Sequence, residues 1–322
     1  MKSWFTEVAE QLLLLIVALV VIALSADRFV MGAAKTAELL HVSPLVVGVV
    51  VIGFGTGLPE LLTATLASIH HNASLGIGSV LGSTVVNSTL VLGTLGAISA
   101  PRISSSVLKR EGLSQLFAVT SFGLVIVFAH DQLFYTLLLI LLVLFIGSTL
   151  IGARKEPDNG ELELEAKTVE AGYNWGIRKS LAVTVIGLLL VLASAELLVS
   201  SAGKVAVHLG ISKAVIGVTL VALGTSLPEW VTAIAAARRG HSDLVVGNIF
   251  GANLFNSTAV AGVAGLISPG QLNIPHLAYE SGFMVAASTV AILFLSSSRR
   301  LSKVEGWMLV IAYILWIGFA VH

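Results

Sequence analysis

One six-residue phrase is written twice in this chain, GTGLPE at Gly55–Glu60 and GTSLPE at Gly224–Glu229, 169 residues apart. The same offset lays Ser25–Gly93 over Ser194–Gly262 without a gap, and 27 of the 69 pairs are identical. Lys35 falls on Lys204, Gly48 on Gly217, Gly78 on Gly247, Gly82 on Gly251, and Asn87-Ser88-Thr89 on Asn256-Ser257-Thr258. Chance similarity between apolar helices would match leucine, valine and alanine. It would not bring glycine, proline, glutamate and asparagine into register together, so the chain is an internal duplication.

The surroundings of both copies are apolar. Hydrophobic residues make up 56% of the 322 and charged residues 11%, with a mean hydropathy of +0.96. Soluble domains carry about a quarter charged residues, so this is an integral membrane protein. Spans of roughly 20 residues fit near 8–26, 43–68, 75–98, 114–129, 132–152, 178–200, 212–237, 243–267, 277–296 and 303–321. Glu7 and Glu10 stand where a signal peptide would be basic, so the first apolar stretch is expected to be a span. Five spans per copy is an odd number, which sends the second copy into the bilayer upside down. The expected fold is therefore an all-α membrane protein of about ten transmembrane helices in two inverted five-helix repeats, with broken helices at the midplane. The units are 1–152, a linker at 153–177 and 178–322.

With the N-terminus outside, 15 of the 18 Lys and Arg fall on cytoplasmic connections. The positive-inside rule then places both termini outside a cell membrane that the chain crosses many times. Zero net charge argues against a nucleic-acid partner, and the lack of cysteine excludes disulfides and thiol catalysis. Neither HExxH nor GxxxxGK[ST] occurs, so a metalloprotease or an ATP-driven pump has no support. No enzyme activity, cofactor or obligatory protein partner is expected.

What the repeated phrase does follows from its chemistry. In Gly53–Glu60, glycines loosen the helix, and Pro59 lacks an N–H and disfavours helical geometry in the residue before it. Carbonyls released at membrane depth must line a cavity or meet a ligand. Pro59 then starts the next helix, and Glu60 falls in its first turn, where the helix dipole favours a negative charge. A carboxylate at that depth costs roughly 2.5–3.5 kcal/mol on insertion scales. Two such costs placed by symmetry point to a shared cation between Glu60 and Glu229. Hydroxyls of Thr56, Thr225 and Ser226 and amides of Asn87 and Asn256 would complete an oxygen shell suited to Na⁺ or Ca²⁺. Gly78-x-x-x-Gly82 and Gly247-x-x-x-Gly251 are faces along which helices approach closely. Asp27 and Glu196, repeat mates near helix ends, are expected to pair with Arg28 or water.

The paired G-T-[SG]-L-P-E phrases, each followed by G-x-x-x-G-[SA]-x-x-x-N, resemble the two alpha repeats of the sodium/calcium exchangers, within the cation/calcium antiporter superfamily. Prokaryotic members without a large regulatory domain resemble this chain in layout. The resemblance implies exchange of Ca²⁺ for Na⁺ by alternating access. It implies Ca²⁺ ligation by Glu60 and Glu229, and backbone and hydroxyl oxygens from Thr56 and Thr225. It also implies Na⁺-site hydroxyls at Ser226 and Ser83, and carbonyls at Gly53 and Ala222.

Three positions depart from that pattern: Gly57 and Ala252 replace serines, and Asn256 stands where many relatives have aspartate. Three Na⁺ against a fixed charge of −2 would leave an uncompensated charge in a dry cavity. Neutral exchange, two Na⁺ or two H⁺ for one Ca²⁺, fits better. An H⁺-coupled exchanger of Ca²⁺ or another divalent cation, such as Mn²⁺ or Mg²⁺, remains an alternative, as does a passive cation channel.

Overall fold

The computed structural model describes residues 2–40, 46–71, 73–101, 108–129, 131–155, 175–208, 222–270, 272, 274 and 276–320. They are almost entirely helical: α1 (Lys2–Leu40), α2 (Val47–Thr56), α3 (Leu58–Ile69), α4 (Ala73–Ser99), α5 (Leu108–Phe128) and α6 (Gln132–Lys155) form the first half. The second half runs through α7 (Ile177–His208), α8 (Ala222–Thr225), α9 (Leu227–Arg238), α10 (242–267), α11 (Leu277–Ser298) and α12 (Lys303–Ala320). Among the described residues, seven helices are long and apolar enough to cross a bilayer, and the bent pair α2–α3 brings the number to eight. Of the other two predicted spans, one is α12, and 212–237 has its first arm outside the described residues. The predicted linker 153–177 also lies largely outside them, from 156 to 174.

Burial sorts the helices. The most apolar stretches of α4 and α10 are 78% and 89% buried, whereas those of α1, α6 and α7 are 22%, 17% and 28% buried. The repeat-equivalent α4 and α10 therefore sit at the centre, and the leucine-rich helices face lipid on one side. What lets α10 be central is its glycines. A β-carbon on Gly251 would lie 2.6 Å from the Val49 carbonyl oxygen, and one on Gly48 would lie 3.1 Å from the Gly247 Cα. The Gly247-x-x-x-Gly251 face thus receives α2 backbone to backbone, as expected of small-residue interfaces in membranes. Similarly, Gly306 of α12 meets Gly93 and Gly96 of α4.

Duplication shows in the backbone. The two breaks have the same conformation, φ −77°, ψ 2° at Gly57 and φ −85°, ψ 3° at Ser226. The α2–α3 bend is 44°. Both central helices open into a π-turn at the equivalent asparagine, Asn87–Val91 in α4 and Asn256–Val260 in α10. Both broken helices end in equivalent left-handed residues, His71 at φ 56° and Gly240 at φ 77°.

Two predicted spans are too short. Expected at 8–26, the first helix continues to Leu40, so Arg28 and Lys35 are helical residues rather than loop residues. Expected at 178–200, its repeat mate continues to His208. Hydropathy marks the stretch within lipid but not the helix beyond it. The extra turns of α1 pack on α7, where Gly187 abuts the Phe29 backbone and Gly32 abuts Thr184, and Lys35 pairs with Glu38 within α1 at 2.5 Å. At the end of α7, His208 lies 3.3 Å from Glu7 of α1.

Candidate functional site

Each break delivers a glutamate to the interior. Leu58 and Pro59 open α3, Leu227 and Pro228 open α9, and Glu60 and Glu229 follow in the first turns. Glu60 is 1% exposed and Glu229 0%. The Ser83 hydroxyl donates to Glu60 Oε1 at 3.5 Å. Glu60 Oε2 and both Glu229 oxygens have no hydrogen-bond partner. The two carboxylates are near enough to feel each other's charge. Among the described residues, no lysine, arginine or histidine pairs with either of them.

The threonines cross over. Thr56, on the first half's broken helix, lies beside Glu229, and Thr225, on the second half's, lies beside Glu60. The Thr225 hydroxyl is 3.1 Å from that of Ser83. The Thr56 hydroxyl can donate to the Ile52 carbonyl at 3.0 Å, to Gly53 O at 3.4 Å or to Asn248 Oδ1 at 3.4 Å. The Gly53 carbonyl also accepts from Gly57 N at 3.2 Å, which leaves it one lone pair for a ligand. Ala222 begins α8, one turn before the second break.

The asparagines open the two π-turns. Asn87 and Asn256 are fully buried, and neither the amide nitrogen nor the amide oxygen of either has a partner. Ser226 Oγ is buried and unpartnered as well. A π-turn inserts a residue into the helix and leaves a ladder position open, and such turns recur at binding sites. Buried polar atoms in native proteins are nearly all satisfied. Here eight unpartnered atoms belong to Glu60, Glu229, Asn87, Asn256 and Ser226. Six of them are oxygens from carboxylates, amides and a hydroxyl, the hard donors that suit alkali and alkaline-earth cations. Among the described residues no cluster of three or more His, Cys, Asp or Glu occurs. Glu60 and Glu229 are the carboxylates of this group, and its other oxygens are neutral.

The departures at 57 and 252 also have a visible setting. A β-carbon on Gly57 would lie 2.9 Å from the Phe255 ring, which stacks on Phe54 at 4.9 Å. Ala252 is fully buried, where α10 passes Gly53. Sequence reasoning did not single out Asn248, whose Nδ2 donates to the Glu229 carbonyl at 2.9 Å and to Thr232 Oγ1 at 3.1 Å. A signal was present: Asn248 is the repeat mate of Ser79, polar in both halves and one turn before positions 83 and 252.

Comparison with known proteins adds to this geometry. The family model described as sodium/calcium exchanger protein matches residues 10–152 and 179–322. A putative antiporter, CaxA of Alkalimonas amylolytica, is 35% identical, covering 93% of this chain and 95% of the relative. Sodium/calcium exchanger MaX1 of Methanosarcina acetivorans is 28% identical, with 95% and 97% covered. Among solved structures, the sodium-calcium exchanger NCX_Mj superposes with a TM-score of 0.83 at 30% identity, over 97% of this chain and 99% of that one.

Proposed function

The chain belongs to the sodium/calcium exchanger protein family, and from that premise we propose that it is a secondary active antiporter exchanging Ca²⁺ for Na⁺ by alternating access. Its work is transport rather than catalysis, and Ca²⁺ and Na⁺ are its substrates. The observation that carries the reading is the pair Glu60 and Glu229, buried in equivalent first turns with three of their four carboxylate oxygens unpartnered. Two ionised carboxylates match the charge of one Ca²⁺ or two Na⁺. A site that must hold one or the other to offset its buried charge favours exchange over leakage. Thr56, Thr225, Ser226, Asn87, Asn256 and Ser83 complete the shell with neutral oxygens, and the carbonyls of Gly53 and Ala222 contribute from the broken helices.

The inverted repeat supplies a route to alternation. Two halves of one construction, oppositely inserted, can exchange conformations and so open the same site to either side. The two halves, 1–152 and 178–322, act as the moving units, 153–177 joins them in the cytoplasm, and both termini lie outside a cell membrane.

Proton coupling is the second reading, and a specific observation favours it. Gly57 and Ala252 withhold hydroxyls from the flanking positions, where Na⁺ would need them and H⁺ would not. Flux of radioactive Ca²⁺ into proteoliposomes under an imposed Na⁺ gradient, with pH equal on both sides, decides between them. Na⁺-driven, saturable Ca²⁺ exchange is expected. Flux driven only by a pH gradient would establish the proton-coupled reading, and flux without any counter-ion would establish a channel.

A further inference from the structure

The two halves of the site are tied together by different residues at different depths. In the first half, Ser83 of α4 touches Glu60 of its own half at 3.5 Å and Thr225 of the other half at 3.1 Å. Its repeat mate, Ala252, has no hydroxyl and can tie nothing. The corresponding pair in the second half, Glu229 and Thr56, is nevertheless joined. Asn248 Nδ2 donates to the Glu229 carbonyl at 2.9 Å, and Asn248 Oδ1 faces the Thr56 hydroxyl at 3.4 Å. Positions 248 and 252 are one helical turn apart on the same face of α10. The longer asparagine side chain covers the distance that the missing hydroxyl leaves.

We infer that Asn248 is the positioning residue of the second half-site, taking over from position 252 the job that Ser83 performs in the first. This rests on the cation-exchange reading above. The two ties differ in what they leave available. Ser83 occupies an oxygen of the Glu60 carboxylate. Asn248 holds the Glu229 turn by its backbone and leaves both carboxylate oxygens unpartnered. Glu229 can therefore offer a cation both of its oxygens, whereas Glu60 shares one of its own. Thr232, whose hydroxyl takes the second Asn248 hydrogen at 3.1 Å, fixes the amide so that its oxygen points at Thr56. Since the hydroxyl holds one carboxylate and the amide holds the turn that carries the other, their loss should weaken cation binding more than it slows turnover.

The test is Ca²⁺ uptake by the full chain in proteoliposomes, with Asn248→Ala, Ala252→Ser and the double variant. Losing the tie should raise the half-saturating Ca²⁺ concentration roughly three- to tenfold, the worth of one or two hydrogen bonds, and more than it lowers the maximal rate. Adding a hydroxyl at 252 in the Asn248→Ala background should bring half-saturation back towards the parent value. A role in packing alone would show no such rescue. If Asn248→Ala does not assemble, Asn248→Leu keeps the volume and removes the polar atoms. Half-saturation equal to the parent, or a double variant no better than the single one, overturns the inference while leaving the exchange reading standing. A parent protein that moves no Ca²⁺ against any counter-ion overturns both.

Discussion

Arg239, at the end of α9, grips Asp27 of α1 with two parallel bonds, Nε to Oδ1 at 2.7 Å and Nη2 to Oδ2 at 2.5 Å. The pair joins a lipid-facing helix to the helix that carries Glu229. Arg28 is a lesser partner, at 3.8 Å. The equivalent positions in the other half, Glu196 and His70, form no such pair among the described residues. The inverted repeat is thus symmetric at its breaks and asymmetric in its clamps. Both ends of the pair are partly exposed, so its worth is about 1 kcal/mol or less. Arg239→Gln should lower the melting temperature slightly. The charge swap Asp27→Arg with Arg239→Asp should recover part of the loss in a double-mutant cycle.

Glu60→Gln and Glu229→Gln should each reduce Ca²⁺ exchange roughly a hundredfold or more, since a buried cation would lose half its compensating charge. The same changes remove an uncompensated buried charge from the cation-free protein. That form should be stabilised by about 1–3 kcal/mol, read as a rise in its melting temperature. A variant that still exchanges Ca²⁺ at the parent rate would remove that residue from the site.

Exchange should be electrically silent. Two buried carboxylates, with no cationic side chain paired to them among the described residues, match two monovalent ions for each Ca²⁺. Imposing a membrane potential on proteoliposomes should leave the uptake rate unchanged. A clear net inward positive charge per Ca²⁺ would contradict this.

His241, in the turn between α9 and α10, is held below its usual pKa, first by burial and then by the neighbouring Arg239. The unfolded chain therefore binds more protons than the folded one between the lowered value and about 6.5. Stability contributed by the neutral ring is complete above that upper limit and declines as the pH falls through the window. Melting temperature should drop on acidification below neutrality, and His241→Gln should flatten the drop.

Gly251→Ala should cost about 1–3 kcal/mol, because the new methyl would meet the Val49 backbone rather than a movable side chain. Gly318→Ala, within α12 and with nothing within 4 Å, should be neutral to slightly stabilising, since alanine is the better helix former. Thermal unfolding in detergent separates the two.

Much of this was legible in the sequence because the constraints are local and repeated. Pro59 and Pro228 forbid an unbroken helix, and the glutamates beside them are too costly to bury without purpose. The glycines of Gly247-x-x-x-Gly251 announced a close helix approach. The π-turns were not legible. Asn87 and Asn256 were marked as polar and repeated, but nothing in residue type says that a helix will take an extra residue there. The length of α1 and α7 was missed because hydropathy reports the solvent rather than the helix. Asn248 was missed because a tie is a property of the distance between helices, and its repeat mate is a serine.

The glycine at position 57 has a bearing on how this lineage can change. Its backbone angles are open to any residue, and its counterpart in the other half is a serine. What bars a side chain there is the aromatic ring of Phe255, leaning in from a helix of the opposite half. A side chain at 57 therefore requires that ring to shift. While the ring stays where it is, the two breaks share a backbone but not the room for a side chain.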